Sequence, residues 1–424
     1  MSASEKGPNA GAKPDDDSRF DVPLRVQAAV YGVGLFSTTI FYITAVIVPL
    51  HAYSMNPSPL AFGLVFSAAH VLPLFFSIHA GALIDRIGAR RVMLAMTTLG
   101  AVTPLFYPLA PNVWVLIMLQ MFLGFAESIG WLGAQTMIGQ YMHGRTTYAG
   151  RLSFIIRIGQ LAAPPMAGFA WDMTGPWGAF ILMSVWASGA VVSALMLPPK
   201  EPSGSTAHLL PGRYARFRGL LPNPADYVTA FRLLARPAVV VIVLLSSMLH
   251  LGNTVQSSFY VAWLNEIGLT GTAIGFISPF AAIGAALFSL ASAPLTRYVP
   301  GLWIVLFSLW TGIIMICITP LLGAYALLVL ASFIRAGSNG LAQPLIITLV
   351  LGGAGRANLG KATGLRGTAN RIASVIGPAA MGLVAQWVGL ENSFYVAGVF
   401  ISAMMLAMAI YLWKHPEVAR SGEL

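Results

Sequence analysis

Charge is what this chain has least of. Only 9% of its 424 residues are Asp, Glu, Lys or Arg, where a water-soluble domain carries about a quarter. So few charges cannot cover a water-facing surface. With 57% hydrophobic residues and a mean hydropathy of +0.76, the composition excludes a soluble globular protein and implies a polytopic membrane protein. Cysteine is nearly absent. The single Cys317 excludes an intramolecular disulfide and a cysteine metal cluster. Catalytic patterns are missing as well: there is no H-E-x-x-H, no paired carboxylates and no hydrolase elbow. The nearest approach to a phosphate loop, GRANLGKA from Gly355 to Ala362, has Ala362 where the metal-binding hydroxyl belongs. Neither an enzyme activity nor a metal or organic cofactor is expected.

Windows of about 20 apolar residues, enough to cross a bilayer as a helix, are plentiful. They fall at 25–50, 59–82, 91–110, 113–141, 148–171 and 178–198, then at 237–262, 272–295, 301–320, 323–350, 364–388 and 393–413. The expected fold class is therefore an all-α membrane protein with twelve transmembrane helices in two six-helix bundles, 25–198 and 237–413. A polar linker, 199–236, separates them. The polar start, 1–24, has no apolar core and reads as a disordered tail, and 414–424 forms a second tail. Every Lys and Arg except Arg157, Arg335 and Arg371 falls in the tails, the linker or the loops on one side. By the positive-inside rule both termini are then cytoplasmic, in the cell inner membrane. The net charge of +10 is thus a topology signal, and the large partner is the lipid bilayer, with no nucleic acid implied. Nothing points beyond a monomer.

The halves repeat. RIGQLAAPPMAG, Arg157 to Gly168, returns 214 residues later as RIASVIGPAAMG, Arg371 to Gly382. At the same offset Gly150 matches Gly364, Pro164 matches Pro378 and Phe180 matches Phe394. Duplicated bundles face each other across a cavity, and substrate sites lie near the midplane between them.

GALIDRIGARR, Gly81 to Arg91, follows the second span. It resembles the loop signature of the major facilitator superfamily. The resemblance implies alternating access, with spans one, four, seven and ten lining the cavity. It also implies a gating latch between the halves built from Gly81, Asp85, Arg86, Gly88, Arg90 and Arg91. The second-half loop, APLTRYVPG, keeps Arg297 but has no acid. The segment around Gly159, Ala163 and Pro164 loosely resembles the fifth-span motif of the family's antiporters. The fourth-span arginine of its proton-linked members is replaced here by Gln120.

An arginine at the centre of a membrane helix costs about 2.5–3.5 kcal/mol on insertion scales. Arg157, Arg335 and Arg371 are all mid-span, and the only mid-span acid is Glu127. One carboxylate cannot neutralise three guanidinium groups, so a cationic site between the halves is expected. The competing reading is that the arginines cap backbone carbonyls freed by Pro164, Pro165 and Pro378. Polar residues align at helical spacing: His250, Asn253, Thr254 and Ser257; Arg335, Asn339 and Gln343; Gln120, Gly124, Glu127, Trp131 and Gln135; Tyr31, Thr38 and Tyr42. The candidate substrate site is Arg157, Arg335, Arg371, Tyr42, Trp131, His250, Asn339 and Gln343. Glu127 and His250 are the candidates for proton coupling, while His70 and His79 on the second span read as packing residues. The expected function is secondary active, proton-coupled transport of a small carboxylate-like anion. The alternative is a proton-antiport exporter of drugs or lipophilic metabolites.

Overall fold

The computed structural model describes residues 22–142, 145–198, 233–235, 237–354 and 359–420, the side chains at 77–87, 146, 233, 351–354, 359–361, 419 and 420 excepted. In the first half, α1 (Leu24–Ser54), α2 (Pro59–Ile87), α3 (Ala89–Val102) and α4 (Val113–Tyr141) lead into a long helical element, Thr146–Met196. That element breaks at Gly175 into two arms, α5 (146–174) and α6 (176–196). The second half holds α7 (Pro237–Glu266), α8 (Gly271–Leu290), α9 (Gly301–Cys317), α10 (Tyr325–Ala354), α11 (Leu359–Val388) and α12 (Leu390–Lys414). This is the expected all-α membrane fold of two six-helix bundles. α1 begins and α12 ends at one end of the bundle, here called proximal; the far end is distal.

Local chemistry sets the helix ends. Asn112 caps α4 through its side-chain oxygen, which accepts from the N–H groups of Trp114 and Val115 at 3.1 and 3.2 Å. Thr270 caps α8 by accepting from Ala273 N–H at 3.2 Å. The turns closing each half are made by Gly175 (φ 66°) and Gly389 (φ 85°), a conformation that glycine adopts without steric cost. They lie at the repeat's 214-residue offset, and the matched Phe180 and Phe394 beyond them are both fully buried. The third span is shorter than its apolar run. α3 gives way at Thr103 to a tighter turn through Phe106, where Pro104 cannot donate to a regular helix. α7 passes through a π turn at Gln256–Tyr260, a deviation often found at functional positions.

The apolar interior is asymmetric along the membrane normal. At the distal end one continuous core joins both halves, taking Ile43, Ile47 and Leu50 from α1, Phe62 from α2, Phe259 and Leu264 from α7, and Met381 from α11. At the proximal end there are two separate cores. One lies within the first half, around Met93, Ile129 and Met137; the other within the second, around Ile242, Leu306 and Leu349. The molecule is thus closed distally and divided proximally. Large apolar side chains such as Phe169 and Phe400 are exposed, as lipid contact requires. Exposed Trp114, Trp177 and Trp387 at the distal ends of their helices, with Tyr298 and Trp413 at the proximal side, match the aromatic belts of a bilayer interface.

Candidate functional site

The repeated segments meet the opposite half through glycines and prolines. On α2 and α11, the Pro378 carbonyl would collide with any side chain at Gly63, and the Pro59 carbonyl with any at Gly382. On α5 and α8, the same holds for the Pro164 carbonyl at Gly275 and the Gly271 carbonyl at Gly168. Backbones this close require residues without a side chain. Both contacts lie on the distal side. Asp172 fastens the second one. Its Oδ1 accepts from Gly271 N–H at 2.8 Å, and its Oδ2 accepts from the N–H and hydroxyl of Thr272 at 2.7 and 2.6 Å. A carboxylate from the first half therefore caps a helix of the second.

This register places the arginines. Seven residues are about two helical turns, or roughly 10 Å, and return to nearly the same face. Stepping seven residues proximally from Gly63 and Pro378 brings His70 of α2 opposite Arg371 of α11. The same step from Pro164 and Gly275 brings Arg157 opposite Ala282. Both arginines of the repeat therefore lie at the seam between the halves, just proximal to the closure.

Each guanidinium is held by a neutral side-chain oxygen. Arg371 donates through Nη1 and Nη2 to Ser128 Oγ on α4, both at 3.3 Å, bridging the halves. Arg335 on α10 donates to Asn253 Oδ1 on α7 at 3.3 Å, and Asn339 donates to the same oxygen at 3.0 Å. Arg335 Nε is buried without a partner. Arg157 is exposed and donates to Gln160 Oε1 at 2.9 Å, with Tyr42 in its electrostatic reach. Among the described residues no carboxylate lies within ion-pair distance of the three, and none of them donates to a backbone carbonyl.

α7 links two of these poles. His250 and Asn253 are three residues apart on one face. Arg335 reaches Asn253 from α10, while Arg371 and Arg366 of α11 lie within electrostatic reach of His250. With the Asn370 amide oriented to satisfy its neighbours, its oxygen accepts from His250 Nε2 at 3.1 Å and its nitrogen donates to the Ser246 and Arg366 carbonyls at 3.3 Å.

The other expected residues are dispersed. Trp131 is half exposed, and Gln343 is exposed two turns proximal to Arg335. Glu127 does not meet an arginine: its Oε1 accepts from Thr44 Oγ1 at 2.7 Å, and it borders an apolar crevice of the first half lined by Phe36, Ile40, Met96 and Ala187. Gln120, on the same stripe, turns into that half to accept from the Tyr107 hydroxyl. A polar stripe marks a face turned away from lipid, and packing within one bundle satisfies it as well as a cavity does. Of the latch residues, Gly88 holds a positive φ of 93° between α2 and α3. Arg90 donates to the Leu195 carbonyl of α6 at 3.1 Å, within the first half, and Arg91 is exposed. The surroundings of Gly81 and the side chains of Asp85, Arg86 and His79 lie outside what is described. Ser128, Asn370 and Asp172 escaped the sequence reading because their importance depends on pairings between helices.

The chain matches the family model described as Major Facilitator Superfamily over residues 30–360 and again over 242–423. No curated protein matches it in sequence. Among solved structures, the nucleoside transporter NupG is 15% identical with a TM-score of 0.73, covering 92% of this chain and 99% of its own. A POT family transporter in complex with a thioalcohol-conjugated peptide is 15% identical, TM-score 0.68, covering 93% and 96%. A D-xylose-proton symporter is 12% identical, TM-score 0.62, covering 90% and 97%. Identities this low speak to the fold alone.

Proposed function

The chain belongs to the major facilitator superfamily, and from that premise we propose that this transporter carries a small carboxylate-like anion across the cytoplasmic membrane, coupled to protons. Both termini are cytoplasmic in this reading, and the proximal opening faces the cytoplasm. The carrier works as a monomer by alternating access. Arg157, Arg335 and Arg371 hold the anion, with Tyr42, His250 and Asn339 beside them and Trp131 and Gln343 toward the opening. His250 and Glu127 are the proton-coupling candidates, and the latch residues Gly81, Asp85, Arg86, Gly88, Arg90 and Arg91 gate the motion.

The observation that carries this reading is the neutrality of the arginines' partners. Each of three guanidinium groups rests on the oxygen of Ser128, Asn253 or Gln160, and a neutral oxygen leaves the positive charge uncompensated. A carboxylate can displace or join such a partner and make the charge-assisted, two-pronged contact that guanidinium favours. A carrier of cations would have to bring its substrate past these charges unaided.

The test is flux. Purified protein in liposomes is offered panels of radiolabelled organic anions and of cations, with and without a pH gradient. Anion uptake stimulated by the gradient is expected, and Arg371→Ala is expected to abolish it. Unchanged anion uptake in Arg371→Ala, or uptake of cations alone, overturns the assignment.

A further inference from the structure

His70 has no role in the reading above. Its helix, α2, carries no other charged side chain at that level among the described residues. Yet the register set by Gly63 against Pro378 and by Gly382 against Pro59 brings it face to face with Arg371. It is also within electrostatic reach of both Arg371 and His250. Two imidazoles, one from each half, thus flank one guanidinium at the boundary between the halves.

We propose that His70 and His250, together with Arg371, form an oxyanion site that takes up a proton along with its anion. The inference rests on the anion reading above and adds to it the group that carries the proton.

The charges around the pair support this. From α11 come Arg371 and Arg366, both positive. From α10 comes Arg335, one turn away on Asn253. From α4 comes Ser128, which is neutral; its neighbour Glu127 is turned to Thr44 of α1. α3 and α9 present no ionisable group at this level among the described residues. With the site empty, a proton on either imidazole adds a further positive charge to guanidinium groups already there. An oxyanion on Arg371 offsets that repulsion, and a protonated imidazole gives it a second charge-assisted donor. Anion and proton each favour the other's binding, and by linkage the two effects are equal. The same contact spans the halves, so occupancy draws α2 and α11 together where the cleft opens.

The experiment is calorimetric titration of the purified full-length protein with succinate and with inorganic phosphate. Each titration is run at pH 7 in two buffers of different ionisation heat, which yields the number of protons taken up per anion bound. About one proton is expected for the unmodified protein. In His70→Gln/His250→Gln the anion is expected to bind more weakly through Arg371, with proton uptake near zero. Full proton uptake in that double variant overturns the inference and leaves the anion reading intact, provided that Arg371→Ala no longer binds. Failure of both probes to bind, or binding indifferent to Arg371→Ala, overturns the anion reading and this inference with it. Should the double variant not fold, the single variants decide: reduced uptake in His70→Gln is expected, and undiminished uptake there overturns the role of His70.

Discussion

Asp172 accepts the Gly271 N–H at 2.8 Å across the boundary between the halves. It is a carboxylate at a helix N-terminus, where the backbone N–H groups are unpaired and the helix dipole favours negative charge. Asp172→Asn keeps the shape and removes the charge. The amide NH2 cannot accept from the Thr272 N–H as Oδ2 does at 2.7 Å, and leaving that donor unsatisfied costs about 1–2 kcal/mol, which moves a two-state balance by roughly tenfold. Spin labels at positions 111 and 323, in a Cys317→Ser background, are expected to show a larger population with separated distal loops. An unchanged distance distribution would refute a closing role for Asp172.

Gly63→Val and Gly275→Val test the two close contacts. A side chain at either position meets a proline carbonyl of the other half. The backbones must separate, so the distal end cannot close. Transport is expected to fall by about tenfold or more in each variant, since the closed state becomes inaccessible. The helical content should stay the same by circular dichroism. Full transport in either would show that the contact is incidental.

Asn253→Asp places a carboxylate where Arg335 Nη1 now finds a neutral oxygen at 3.3 Å. The new ion pair competes with substrate for the guanidinium. Anion affinity, followed by tryptophan fluorescence, is expected to drop about tenfold or more, without loss of thermal stability. Undiminished affinity would remove Arg335 from the site.

Glu127→Gln retains the geometry for accepting the Thr44 hydroxyl at 2.7 Å but cannot ionise. Because the imidazoles carry the proton in the inference above, proton-driven uptake is expected to persist; its loss, with substrate exchange without a gradient retained, would move coupling to Glu127. Proton-driven uptake that persists clears Glu127 and leaves coupling to the imidazoles.

The repeat was the most informative part of the sequence. Arg157 with Pro164 and Gly168, and Arg371 with Pro378 and Gly382, keep their spacing because glycine and proline make the close contact while the arginine lies two turns below it. Composition and loop charges led directly to the twelve-helix fold. The sequence was less informative about destinations. Gln120 and Glu127 share a helix face with Trp131, yet bond to Tyr107 and Thr44 inside the first half. The placement of His70 opposite Arg371 depends on the register between α2 and α11, which no spacing along one chain can reveal. The ninth span likewise ends at Cys317, ahead of Thr319–Leu321 and Pro320, short of the apolar run.

The single distal core and the paired proximal cores bear on the energy of the working cycle. In an alternating-access cycle, tipping the bundles the other way would divide the one apolar mass and fuse the two. Burial is exchanged between the faces of the membrane, with little net area given up to water or cleft. Neither orientation is then a deep trap, and a modest bias from cargo suffices to choose between them.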